Sequence, residues 1–90
     1  MRRSRLEICI DVLQIVNRGC HKPTRIMYKS NLSWIPLCEV LGFLINQGAL
    51  RVKEKGKKKE YYVTEKGKEI LKYYEQLKSM LMEKTRFSRG

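Results

Sequence analysis

The side chains with chemistry to offer in this sequence are cations, and they come in clusters. Lys53, Lys55, Lys57, Lys58 and Lys59 crowd one short stretch, Arg25 and Lys29 stand four residues apart, and Arg2, Arg3 and Arg5 open the chain. The 90 residues hold 20 Lys and Arg against 9 Asp and Glu, a formal net charge of +11. Ammonium and guanidinium groups at this density attract a polyanion, most simply the phosphates of a nucleic acid. A general solubilising excess of charge and an anionic membrane surface are the competing explanations. No stretch approaches the length of a transmembrane helix. The apolar residues after the first arginines are interrupted by Glu7 and Asp11, unlike a signal peptide. A cytoplasmic protein is expected.

The catalytic inventory is thin. His21 is the one histidine, beside Cys20, and no second group stands ready to orient it as a base. Neither a carboxylate pair nor a phosphate-cradling glycine motif occurs, so no enzyme and no cofactor are expected. Cys9, Cys20 and Cys38 form neither a disulfide framework nor a C-x-x-C pair. Cys20-His21 lacks zinc-ligand spacing, which leaves no metal site and three buried or half-buried free thiols as the expectation. A disulfide among them gains weight only for an intracellular protein of a hyperthermophile. No aromatic stacking-sheet pattern points to RNA.

The elements that position the cations are legible in the spacing. Pro23 to Leu50 reads as a short helix, a turn at Asn31, Leu32 and Ser33, and a longer helix over about Trp34 to Gln47. Asn and Ser favour such a turn through side-chain bonds to nearby backbone, and Ser33 is placed to N-cap the second helix. Leu37, Val40, Leu41 and Leu44 recur at helical spacing and predict one buried face, closed by Gly48. Two helices joined this tightly make a helix-turn-helix. Arg25 and Lys29 lie on one face of its first helix, where they need an anion or water between them. The outward face of its second helix is Ile35, Pro36, Glu39, Gly42 and Asn46, with Cys38 and Phe43 at the margins. None of these is Lys or Arg, an uncommon composition for a helix that reads bases.

Ahead of this unit, Ser4-Arg5-Leu6-Glu7 matches a capping box and starts a first helix. That helix is apolar over most of its circumference, leaving only Glu7, Asp11, Gln14 and Arg18 as a polar stripe. It must be covered on more than one side, a hint of a second packing partner. The arginines before it form either a solvated end or a phosphate-contacting arm. After Ala49 the period becomes alternating: Leu50 and Val52, then Tyr61 and Val63, flank the basic segment 54–60. Gly56 supplies the positive φ of a hairpin tip. The lysines of this hairpin serve either solubility or backbone contact beside the helix-turn-helix. Thr64 then caps a last helix from Glu65 to about Lys84. Gly67 in its first turn makes sense where another backbone packs close. Ile70, Tyr74, Leu77 and Leu81 follow a 4-3-4 spacing, a coiled-coil seam. About twenty residues give a rod of roughly 30 Å, so its distal half should overhang the domain and need a partner. The simplest partner is a second copy.

The segments Ser4–Ile8, Lys22-Pro23-Thr24-Arg25-Ile26-Met27-Tyr28, Asn31-Leu32-Ser33-Trp34 and Tyr62-Val63-Thr64-Glu65-Lys66-Gly67 carry a resemblance. Over about residues 4–82 the chain resembles the archaeal winged-helix DNA-binding proteins that include a small dimeric ten-kilodalton chromatin-associated protein. The resemblance implies an α+β, mainly α, winged helix-turn-helix whose C-terminal helices form an antiparallel coiled-coil homodimer, and binding of double-stranded DNA in a chromatin or regulatory role. It implies that Arg25, Lys29 and the helix beginning at Ser33 and Trp34 face DNA, with the wing lysines beside them. The last helix is shorter than in the chromatin-associated protein, which implies a brief coiled coil.

The expected organisation is a winged-helix domain over 1–64, a continuous dimerisation helix over 65–85 and a tail over 86–90. The expected DNA-binding residues are Arg2, Arg3, Arg25, Lys29, Ser33, Trp34, Lys53, Lys55, Lys57, Lys58 and Lys59. The expected dimer seam is Ile70, Tyr74, Leu77 and Leu81. Three functions compete. The first is a dimer held on DNA mainly by phosphate contacts. The second is a sequence-specific regulator reading through Asn46, Trp34, Ser33 or DNA shape. The third is a protein-interaction module using the apolar Ile35-Pro36-Cys38 face.

Overall fold

A computed structural model describes residues 3–85, with side chains described as far as residue 82. Four helices and a hairpin follow one another: α1 (Arg5–Asn17), α2 (Pro23–Ser30), α3 (Trp34–Asn46), β1 (Leu50–Lys55), β2 (Lys58–Val63) and α4 (Glu65–Thr85). The helix-turn-helix, the hairpin and the long last helix expected from the sequence are all present. No helix among the described residues is long and apolar enough to cross a membrane.

Local chemistry sets the element ends. The Ser4 hydroxyl accepts from the Glu7 N–H at 3.1 Å, and the Ser4 N–H donates to Glu7 Oε1 at 2.7 Å, completing the capping box of α1. Asn31 ends α2 in the left-handed region at φ 64°, a conformation Asn tolerates because its short side chain bonds locally. Ser33 occupies the N-cap position of α3, but its hydroxyl makes no capping bond. The third helical residue there is Pro36, whose ring nitrogen has no hydrogen, so the usual donor to a capping hydroxyl is missing. At α4 the Thr64 hydroxyl accepts from the Gly67 N–H at 3.1 Å and donates to the Gly48 carbonyl. Lys66 Nζ donates to the Gln47 carbonyl at 2.7 Å. These bonds lock the start of α4 onto the end of α3 and satisfy carbonyls that a helix C-terminus leaves open.

The core gathers around α1. Val12, Leu13 and Val16 are almost fully buried, together with Ile26 from α2, Leu37, Leu41 and Leu44 from α3, and Leu50, Tyr61 and Leu71 from the elements that follow. Each aliphatic side chain so buried contributes about 1.5–3 kcal/mol. The wide apolar surface of α1 hinted at a second partner; its cover comes instead from α2, α3, α4 and β2 of the same chain. Leu6, 62% exposed at the first turn, is left outside. Cys9 is buried, Cys20 half-buried and Cys38 exposed, all as free thiols; burial pushes the Cys9 thiol up. The exposure of Cys38 departs from the expectation of covered thiols, because it falls on the outward side of α3.

Most of the basic segment 54–60 is strand: β1 runs to Lys55, β2 starts at Lys58, and only Gly56 and Lys57 turn the chain, with Gly56 at φ 60°. The hairpin pairs Leu50 with Val63 at its root and Lys55 with Lys58 at its tip. The connector before α2 also reaches the hairpin, since the Tyr61 N–H donates to the His21 carbonyl at 2.9 Å. In α4, Leu71 is buried and Ile70 and Tyr74 half-buried against the core, and Gln14 Nε2 donates to Glu75 Oε2 at 3.2 Å. Beyond that point Leu77, Met80 and Leu81 are exposed. The described chain measures 54 × 29 × 20 Å, its long dimension fitting the overhang expected of this helix.

Candidate nucleic-acid interface

Arg25 and Lys29 project from α2 into a cleft shared with Arg18 at the end of α1, Lys22 and His21 in the connector, and Glu60 of β2. Four cations thus face a single carboxylate. Arg18 and Lys22 were not picked out from the sequence. Lys22, Arg25 and Lys29 do carry a signal, the i, i+3, i+7 spacing of one helical stripe, extended by one residue ahead of Pro23. Glu60 is itself occupied. It accepts from the Tyr62 hydroxyl at 2.8 Å, and this bond, aided by Lys55, His21 and Lys22, holds its carboxyl below the usual range. The same bond raises the Tyr62 phenol.

The floor of this cleft meets the hairpin root through stacked rings. His21 and Tyr62 lie face to face, and the Arg51 guanidinium sits 5.0 Å from the Tyr62 ring centroid on a cation–π contact. His21 Nδ1 lies 2.8 Å from the Tyr61 carbonyl oxygen. A carbonyl only accepts, so Nδ1 carries the proton of this bond. The α2 cations and the hairpin are therefore held in one fixed relation by the connector.

Along the hairpin, all five lysines of the sequence cluster are exposed. Lys53 pairs across the ladder with Glu60 and Lys59 with Glu54, each facing an acid. Lys55 faces Lys58, with Lys57 in the turn beside them. Like charges directly opposite one another destabilise a ladder. Three cations without an acidic cross-strand partner are thus concentrated at the tip.

Around α3 the surface is different. Trp34 is 48% and Ile35 70% exposed; Ser33, Pro36, Cys38, Glu39 and Gly42 are exposed as well. Arg3 comes beside this helix, lining a depression with Arg5, Glu7, Pro36 and Glu39. Its guanidinium donates to Asp11 Oδ2 at 2.7 Å and to the Ser30 carbonyl at 2.8 Å. Arg3 therefore ties the chain start to the end of α2, where a cation also suits the helix dipole. Arg2 and the tail 86–90 lie outside the described residues. Among the described residues no group of three or more His, Cys, Asp or Glu gathers to hold a metal ion.

Residues 2–82 match a family model described as winged helix-turn-helix. The chain belongs to the winged helix-turn-helix family. An uncharacterised protein of Methanocaldococcus jannaschii is 35% identical over 69 residues, covering 77% of this chain and 67% of that protein. Among solved structures, Sso10a-2, a DNA-binding protein from Sulfolobus solfataricus, superposes with a TM-score of 0.75 at 27% identity over 97% of this chain and 95% of its own. F93 from STIV, a winged-helix DNA-binding protein, superposes with a TM-score of 0.67 at 20% identity over 84% and 90% of the two chains. FabT of Streptococcus pneumoniae, solved in complex with DNA, gives a TM-score of 0.70 at 15% identity over 92% of this chain and 64% of its own. The last two likenesses speak for the winged-helix fold alone. In winged-helix terms β1 and β2 are the wing, and α2 and α3 the helix-turn-helix.

Proposed function

We propose that this winged-helix protein is a homodimeric binder of duplex DNA, chromatin-associated or regulatory, that works in the nucleoid and grips mainly phosphates. The observation that carries the reading is the wing tip, where Lys55 and Lys58 face one another beside Lys57. A like-charge pair is unfavourable in isolation and becomes favourable against a polyanion. The stripe of Lys22, Arg25 and Lys29 supplies a second set of cations on the helix-turn-helix. Family membership and the likeness to Sso10a-2, a DNA-binding protein, support the same reading. No catalytic role is assigned.

The dimer would form through α4. Its exposed Leu77 and Leu81 continue the seam begun by the half-buried Ile70 and Tyr74. Apolar side chains repeating in this way on an overhanging helix are covered most simply by the same helix of a second copy. On this reading residues 1–64 are the DNA-binding unit and 65–85 the dimerisation helix.

Titration of one duplex and a scrambled duplex across a salt series tests the proposal. Affinity should fall steeply with salt and differ little between the two. Affinity that barely changes between low and moderate salt would remove the phosphate-gripping function.

A further inference from the structure

We infer that α3 reads the C5-methyl groups of thymine in the major groove, which makes an A·T-rich duplex the preferred ligand. The inference rests on the DNA-binding reading above and names the substrate class of the same surface.

In a helix-turn-helix the second helix lies in the major groove with its N-terminal residues at the base edges. Here those residues are Trp34, Ile35 and Pro36, all exposed, and Ile35 is 70% open to solvent. Bidentate reading of guanine or adenine needs Arg, Lys, Asn or Gln, and α3 supplies none before Asn46 at its far end. An exposed isoleucine and the proline beside it offer aliphatic surface only. The one apolar group that a base pair displays in the major groove is the thymine methyl. One turn further on the same face is Glu39, a pure hydrogen-bond acceptor when ionised. It can accept from adenine N6–H2 or from cytosine N4–H2 in that groove, so it adds no choice between the two pairs and leaves the preference to the apolar residues. Gly42 follows with open space where a Cβ would stand, which lets the helix backbone approach closely.

Charge complementarity makes duplex DNA the occupant of this face. Arg25 and Lys29 stand exposed on the preceding helix, Arg5 lines the depression beside Pro36 and Glu39, and the wing lysines follow in the chain. The exposed aliphatic face of α3, with Arg5 beside it, would meet the methyl-lined groove floor while the chain's cations meet the phosphate backbones. Phosphate contacts would provide the affinity and α3 a modest preference for composition.

The test compares one A·T-rich duplex with the same duplex carrying deoxyuridine at every thymine, which removes the methyls and keeps the pairing. Affinity of the full chain is measured at fixed moderate salt. Loss of about fourfold is expected for each methyl covered. Ile35→Ala should erase most of the difference, while Lys57→Ala should weaken both duplexes equally. Equal affinity of the native chain for the two duplexes overturns the inference and leaves DNA binding standing. A difference that persists in Ile35→Ala overturns it too, because another surface then does the reading. Binding to neither duplex overturns the DNA-binding function itself.

Discussion

The imidazole of His21 lies on the phenol ring of Tyr62, with 4.1 Å between centroids and 26° between planes. The contact fastens the connector ahead of α2 to the wing root, and the Tyr62 hydroxyl extends it to Glu60. Tyr62→Phe keeps the stack and removes the hydrogen bond. The Glu60 carboxyl should then titrate higher, which carboxyl NMR would show. The sign for stability follows from the depressed folded-state pKa of Glu60. A depressed acid stabilises above its unfolded value, near 4.5, and loses that contribution as pH falls through the lower folded value. The raised Tyr62 phenol bounds the window on the other side, since its contribution disappears as pH climbs through and beyond 10. Native chain and variant should therefore differ most between these limits and converge in acid. A constant gap down to the lowest pH would show that the bond is not what shifts Glu60.

Gly67 meets the backbone of Ala49 so closely that an added Cβ would overlap the Ala49 carbonyl oxygen and stand 2.6 Å from Val63 Cγ1. Alanine improves helix propensity by about 1 kcal/mol, whereas overpacking costs about 1–3 kcal/mol. A backbone oxygen cannot swing aside, so the upper end applies and Gly67→Ala should lose about 2 kcal/mol net. For a domain of this size the thermal midpoint should fall by about 10 °C. A midpoint that rises would mean that α4 can move away from Ala49 and Val63 at little cost.

Lys55, Lys57 and Lys58 should act on salt dependence more than on sequence preference. Each phosphate contact contributes about 0.9 to the slope of log affinity against log salt. Replacing all three by Ala should flatten that slope by about 3 per wing engaged. Replacing Lys53 and Lys59, which face Glu60 and Glu54, should flatten it less. Equal effects from the two sets would mean that the cross-strand acids do not matter.

Leu77 and Leu81, 55% and 57% exposed, test the seam without touching the core. Leu77→Asp with Leu81→Asp should leave the helical content of the monomer intact and convert a micromolar dimer to monomer in sedimentation. The concentration dependence of the native midpoint should vanish with it. A native chain that sediments as a monomer at micromolar concentration would end the dimer proposal.

What the sequence made legible was local. The capping box at Ser4 and Glu7, the apolar spacing of α3 and the cap at Thr64 each involve residues within a few positions of one another, where period and side-chain chemistry decide. Gly67 was legible for another reason, because a glycine in a first helical turn is hard to explain without a close neighbour. Three features misled. Ser33 looked like a cap until Pro36 removed the donor. The charge of Lys55, Lys58 and Lys59 masked strand backbone, since alternation of polar with polar leaves no period. The apolar girth of α1 pointed outward for cover that its own chain supplies. The contacts of Arg3 with Ser30 and of His21 with Tyr61 join residues 27 and 40 positions apart. Only the folded path brings such pairs together, so spacing carried no trace of them.

Beyond the pairing of Val52 with Tyr61 the wing has three more cross-strand pairs, exposed at every residue but Glu60. At about 3.4 Å per residue, the two pairs beyond Lys53 and Glu60 carry the tip about 7 Å past the cleft that Glu60 lines. That is close to the screening length at physiological salt, about 8 Å. On the proposed function, an approaching duplex would feel the tip lysines more strongly than the screened cations of the body. Encounter would then depend most on the wing and residence on the helices, which would divide the arrival rate from the departure rate between two parts of one small fold.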